Sequence, residues 1–133
     1  MLLVKTKVKS SSIHGLGLFA DEFIAQGTPI WKFDKKIDLK FTEGELKKIP
    51  EPARSSILHY CYHSNVDGTY VFCSDDARFF NHSSSPNVKS VDLQDEPEGM
   101  EIALRDIKSD EELICDCREF DLDCIQGREK YVL

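Results

Sequence analysis

The sequence predicts a mainly β domain with short helices. Three observations carry this. Short runs alternate in polarity or are rich in β-branched and aromatic residues, helix-start signals occur at only two places, and turn residues separate most of the runs. Nothing resembles a repeated strand–helix–strand unit, so a parallel doubly wound sheet is excluded.

Along the chain, Val4, Thr6, Val8 and Ser10 alternate with Lys5, Lys7 and Lys9, which predicts a strand with one wet face. His14-Gly15-Leu16-Gly17 makes a flexible turn, and Leu18-Phe19-Ala20 resumes an extended segment. Ala25-Gln26-Gly27-Thr28 is a further turn, followed by strand-like Pro29 to Phe33. Thr42-Glu43-Gly44-Glu45 has capping-box spacing and predicts a short helix that stops before Pro50. Pro52 suits the first turn of a second helix, with Ala53, Ile57 and Cys61 on one stripe. Thr69 to Ser74 reads as a strand, and Asn81 to Asn87 as a loop. Met100 to Ile107 alternates again, with Asp95 to Gly99 as the hairpin-like connection before it.

Length and composition bound the answer. The 133 residues suit one domain, and 41% apolar against 31% charged residues is a globular balance. No window approaches the roughly 20 apolar residues of a membrane span. The N-terminus alternates at once and does not read as a secretory signal, so an intracellular protein, cytoplasmic or nuclear, is expected. The odd count of five cysteines then argues for free thiols: Cys61, Cys73, Cys115, Cys117 and Cys124. There is no CxxC pair, so no metal site is expected. From Asp92 to Asp123 there are 13 acids against Arg105, Lys108 and Arg118, within a chain of net charge −7. That acidic half argues against nucleic acid as a partner and fits a lysine-rich peptide, although charge alone fits a solvated surface equally well.

Three segments carry the chemistry. His14-Gly15-Leu16-Gly17 lets a backbone approach a ligand closely, yet alone it is only a turn. Arg78 to Asn87 holds Asn81 and His82, whose side chains offer directed donors and acceptors, with Phe79 and Phe80 as anchors. Asp110 to Cys117 is an acidic turn leading into a buried strand.

In this order the three segments resemble the SET-domain family. That family shows a Gly-x-Gly, an Arg-Phe-x-Asn-His-Ser-x-x-Pro-Asn segment and a Glu-Glu-Leu segment ending in Asp-Tyr. The matching residues are Gly15-Leu16-Gly17, Arg78 through Asn87 and Glu111 through Cys117. The likeness spans about residues 4–121 of a single domain, 1–133, with a short tail over 118–133. It implies a β-clip-like fold of several small sheets with a knot-like C-terminal crossing, an exception to ordinary topology. It also implies S-adenosyl-L-methionine as cofactor and protein-lysine methylation as the reaction, on a histone tail or another lysine-rich protein. His14, Gly15, Leu16 and Gly17, with Arg78, Phe79, Asn81, His82 and Cys117, would then form the cofactor site. Residues 34–75 take the place of the family's variable insert beside the substrate groove. A homodimer would be one way to complete that groove.

Two departures matter. Cys117 stands where the family places a catalytic tyrosine, and Cys115 where it places the aromatic residue that tunes how many methyls are added. A thiol is shorter than a phenol and a poorer hydrogen-bond partner. Tyr60, Tyr62 or Tyr70 is expected to supply a hydroxyl instead, with Tyr70 preferred because its strand leads into the Asn-His segment. Tyr60, Tyr62 and Cys115 are otherwise expected along the substrate lysine. Ser84 stands where many members have a cysteine, and the family's zinc-binding tail is missing. Phe120 and Tyr131 are the aromatic candidates to fold over the site. The alternative reading is a SET-like module that holds the cofactor or a basic peptide without turnover.

Overall fold

The structure, a computed structural model, describes residues 1–128 and 133. In chain order the elements are β1 (Thr6–Ser10), β2 (Leu16–Ala20), β3 (Pro29–Lys32), β4 (Asp38–Phe41), α1 (Glu43–Lys48), α2 (Ala53–Tyr60), β5 (Tyr62–His63) and β6 (Tyr70–Cys73). They continue through a 3-10 turn (Asp76–Phe79) to β7 (Asn81–His82), β8 (Val88–Leu93), β9 (Glu96–Ala103) and β10 (Ile114–Cys115). A second 3-10 turn (Cys117–Glu119) and α3 (Leu122–Ile125) follow. Among the described residues no helix is long and apolar enough to cross a membrane.

The strands form small sheets, as expected. β1 and β2 make an antiparallel hairpin, β3-β9-β8 and β4-β6-β5 make three-stranded antiparallel sheets, and β7 pairs in parallel with β10. The parallel pair sets Ile114 beside Asn81 and Cys115 beside His82, so the C-terminal segment meets the Asn-His segment there. The main core joins Leu18, Ala20, Ile24, Ile30, Val88, Ala103, Ile107 and Leu113, each almost fully buried. A second cluster of Leu46, Leu58, Cys61 and Tyr70 seats α1 and α2 on the β4-β6-β5 sheet.

Local chemistry explains the helices. Thr42 accepts from the Glu45 backbone N–H at 3.2 Å and its own N–H donates to the Glu45 carboxylate at 2.8 Å, which completes the capping box. Pro52 occupies the N-cap of α2, one residue earlier than expected. The buried stripe of α2 is also rotated: Leu58 is its buried residue, Ile57 is half-buried and Ala53 is exposed. Ile57, Leu58 and Cys61 follow helical spacing onto the second cluster, and Ala53 falls outside it.

The hairpin between β8 and β9 differs from expectation in its turn. β9 begins at Glu96, which pairs with Leu93, so the reversal is tight and Gly99 lies inside the strand. Gly99 has φ +67°, and a Cβ there would sit 2.6 Å from the Val91 carbonyl oxygen. It therefore serves a close backbone approach within the strand pair, not a loop. Gly68, with φ +73°, has open space around it. Gly99→Ala is expected to destabilise the fold by roughly 1–3 kcal/mol and Gly68→Ala by only about 1 kcal/mol, read by urea denaturation. Equal losses would contradict the close-approach assignment.

Candidate functional site

The three sequence segments meet at one carboxylate, Glu112. Ser11 Oγ donates to it at 2.7 Å, and Asn81 Nδ2 donates to it at 2.9 Å. The same Asn81 amide lies 3.1 Å from the carbonyl oxygens of His14 and Leu16. A Cβ on Gly17 would come within 2.6 Å of Glu112 Oε2, so glycine is what lets the acid reach this position. Asn87, 4% exposed, completes the join. Its amide donates to the Glu112 carbonyl at 2.8 Å and its oxygen accepts from the Ile114 N–H at 2.8 Å. Gly17 was expected beside the cofactor; it does not line the cavity and instead makes room for Glu112.

Beside this join lies a cavity of about 510 Å³. Its exposed wall carries His14, Gly15 and Leu16, with Asn81 and His82 facing them. His82 Nδ1 accepts from the Cys117 backbone N–H at 2.9 Å, which leaves Nε2 to carry the proton of the neutral ring. Arg78 and Phe79 also line the cavity. The Arg78 guanidinium donates to the carbonyls of Ser74 and Asp75 and covers the Phe79 ring at 4.6 Å, so it braces the turn before Asn81. Tyr60 lies edge-on to Phe79 with ring centroids 5.4 Å apart.

The buried wall has a different chemistry. Trp31, Tyr62 and Phe120 stand edge to face, with centroids 6.5 Å and 5.1 Å apart. Glu98 and Glu101 belong to that wall, as does the buried Asp121. Glu98 is fully engaged, since Oε1 accepts from the Tyr62 hydroxyl at 2.9 Å and Oε2 pairs with Lys40 at 3.0 Å. Burial, with Glu98 next, holds the Tyr62 phenol well above its ordinary range. Glu101 accepts from Ser90 Oγ through one oxygen, while Oε2 is buried with no hydrogen-bond partner among the described residues. Burial pushes the Glu101 carboxyl up to about 7; the Ser90 bond opposes this and the nearby Glu119 charge adds to it. Trp31 Nε1 is likewise buried, with no hydrogen-bond partner among the described residues.

Several expected residues are placed elsewhere or changed. Tyr70 is not on the cavity. Alternation along β6 turns Tyr70 toward Leu46, Leu58 and Cys61, where it stacks on His63 at 4.3 Å, while Cys73 faces the cavity. Its hydroxyl therefore cannot replace a phenol at position 117. Cys117 lines the cavity but its sulfur is bonded to Cys124, because the 3-10 turn and α3 fold the chain back on itself. The expectation of five free thiols is thus corrected; Cys61, Cys73 and Cys115 remain as buried thiols. Cys115 lines the cavity, with its sulfur 3.6 Å from the Asn81 carbonyl oxygen. Among the described residues, ligand-type atoms of His82, Asp116 and Cys117 lie within 4.8 Å of one another, but the Cys117 sulfur is in the disulfide and offers no thiolate. Phe120 from the tail is on the cavity wall, and Tyr131 lies outside the described residues.

Reading the sequence missed Ser11, Trp31, Glu98, Glu101 and Glu112. Glu101 carried no sequence signal: alternation puts it on the row of Ala103 and Arg105, opposite the more apolar Met100, Ile102 and Leu104, yet Glu101 and Ala103 are buried.

Glu101 makes stability depend on pH. Its folded-state affinity for a proton exceeds that of the unfolded chain, so between about 4.5 and about 7 the native state binds more protons. Stability should therefore fall by about 3 kcal/mol as pH rises through that window. Glu101→Gln is expected to remove that loss, so the variant is the more stable protein near pH 8 by urea unfolding. A wild type whose stability rises through the window would contradict it. Separately, the denatured protein should titrate three thiols before reduction and all five cysteines after it, counted with a chromogenic thiol reagent. Five thiols without reductant would remove the disulfide.

Comparison with known proteins agrees with this architecture. A family model described as "SET domain" matches residues 15–118. A Plasmodium falciparum (isolate 3D7) protein named "Putative histone-lysine N-methyltransferase 1" is 31% identical over 112 residues, 82% of this chain. The chain spans only 2% of the length of that relative. A crystal structure titled as a Plasmodium falciparum "putative histone methyltransferase" superposes with a TM-score of 0.59 at 19% identity, covering 86% of this chain and 94% of that one, a likeness of fold. With the model matching most of its length, from the Gly-x-Gly turn through the Glu-Glu-Leu segment, the chain belongs to the SET-domain family.

Proposed function

We propose that the chain is an S-adenosylmethionine-dependent protein-lysine N-methyltransferase acting on a lysine in a basic protein segment, of which a histone tail is the leading candidate. The carrying observation is a single cavity with two chemically distinct walls. One wall presents exposed backbone around His14 to Leu16 together with Asn81 and His82; the other presents aromatic rings and carboxylates. Its volume of about 510 Å³ falls within the range of small-molecule sites.

Bound there, S-adenosylmethionine would supply a methyl group on a positively charged sulfur. His14, Gly15, Leu16, Asn81 and His82 are the residues that would hold it. Asn81 is already fixed by the His14 and Leu16 carbonyls and Glu112, so it need not reorganise to bind. Trp31, Tyr62 and Phe120 would confine the four-carbon stem of a lysine and keep water out. Alignment of amine and methyl in a narrow dry site is the main demand of such a transfer. The acidic stretch over 92–123 favours approach of a basic peptide.

A second reading is a binding module without turnover, favoured by the engagement of Cys117 in a disulfide with Cys124. No hydroxyl stands at position 117, and the Tyr62 hydroxyl is directed to Glu98. Mass spectrometry of mixed histones after incubation with enzyme and labelled cofactor separates the two readings. Label on lysine is expected; calorimetric binding of cofactor with no label transferred would favour the binding module. No binding heat and no thermal shift would overturn both. Asn81→Ala should weaken cofactor binding at least tenfold, about 1.4 kcal/mol or more. Unchanged affinity would place the cofactor elsewhere.

A further inference from the structure

The structure assigns Glu101 as the carboxylate that receives the ammonium group of the incoming amine substrate and takes its proton. This rests on the lysine-methylation reading for its biological role, but the amine site itself stands on geometry. Glu101 is 9% exposed, lines the cavity, and keeps Oε2 without a hydrogen-bond partner among the described residues. Directly opposite it across the β3–β9 pair is Trp31, which also lines the cavity and whose indole N–H is likewise buried with no hydrogen-bond partner among the described residues. Two such buried atoms, on paired residues that both line one cavity, mark a place suited to a polar guest, since burying them without partners costs stability.

The guest is a cation. Trp31, Tyr62 and Phe120 offer aromatic rings around the site, and rings beside a carboxylate favour an alkylammonium over an anion or a neutral polar group. Glu98 cannot take this role because Tyr62 and Lys40 occupy its oxygens. Among the described residues, Glu119 and Tyr62 interact electrostatically with Glu101, while Cys73, Glu98 with its partner Lys40, Asp121, His59, Arg78 and His82 belong to or adjoin the same cavity lining. Lys40 is bound to Glu98 and Asp67, so it does not neutralise Glu101.

The step balances simply. One N–H bond of the ammonium breaks, its electron pair stays on nitrogen, and the proton forms an O–H bond at Glu101 Oε2. The amine is left neutral and nucleophilic, while the carboxyl becomes uncharged. A carboxyl that ionises near 7 suits a base working at neutral pH.

The chain has one tryptophan, so the Trp31 indole N–H gives a single reporter signal in nitrogen–proton correlation spectra. Titration of the whole protein with n-butylammonium, without cofactor, should shift that signal saturably. Affinity should rise at least tenfold from about pH 5.5 to about pH 8.5 as Glu101 ionises. Glu101→Gln should bind at least tenfold more weakly at the higher pH and lose the pH dependence. In methyl transfer, kcat/KM should rise with pH to an inflection near 7 in the wild type, moving toward the amine's own ionisation in the variant. An indole signal that ignores butylammonium, or equal binding by wild type and variant, would overturn the assignment. If the variant does not fold, a wild-type affinity independent of pH does the same. The amine titration needs no cofactor, so a failure to bind S-adenosylmethionine would overturn the proposed reaction while the indole signal still decides the role of Glu101.

Discussion

The site depends on one half-buried carboxylate. Glu112 holds Ser11 from the first hairpin and Asn81 from the middle of the chain, while its own backbone carbonyl is held by Asn87. These partners come from segments about a hundred and about thirty residues away, so each bond fixes a long-range pairing that local propensity could not specify. Charge-assisted bonds of this kind are stronger than neutral ones. Gly17 is the cost of the arrangement, because any side chain there would occupy the space of the acid. The hairpin turn, the β7–β10 pair and the exposed wall of the cavity all take their position from this join.

The fold was legible where local chemistry decides it. The capping box at Thr42, the short alternating strands and the order of the three motifs could each be read before any coordinate. Side-chain direction was less legible. Tyr70 lies in the expected strand, yet strand parity turns it to the helix side, and nothing local to Thr69–Ser74 says which face meets the cavity. Gly17 was read with Gly15 as one motif, although the two have separate tasks: a positive φ at Gly15 and a close approach at Gly17. The disulfide was hidden because the count of cysteines carries no information on which pairs the chain brings together.

The cavity joins two kinds of physics. Its exposed wall is made of fixed backbone and amide groups, preorganised by Glu112, whereas its buried wall is aromatic and acidic. Glu98 and Glu101 occupy the same wall in different states. One is paired with Lys40 and accepts a hydrogen bond from Tyr62, and the other has an oxygen without a partner among the described residues and a raised proton affinity. A buried acid without a counter-ion is destabilising for the empty protein. Such a cost is expected at functional sites, where the missing partner arrives with the ligand. The disulfide between Cys117 and Cys124 anchors the C-terminal segment, from which Phe120 closes the aromatic wall.

A crystal structure of the protein with S-adenosylmethionine and a lysine-containing peptide tests the central claim most directly. The cofactor is predicted to lie along His14 to Leu16 and against Asn81 and His82, with Glu112 still bound to Asn81. The lysine stem is predicted between Trp31 and Tyr62, its nitrogen within about 3 Å of Glu101 Oε2. Cofactor density away from the Asn81 wall, or a lysine that never enters the aromatic wall, would contradict the account.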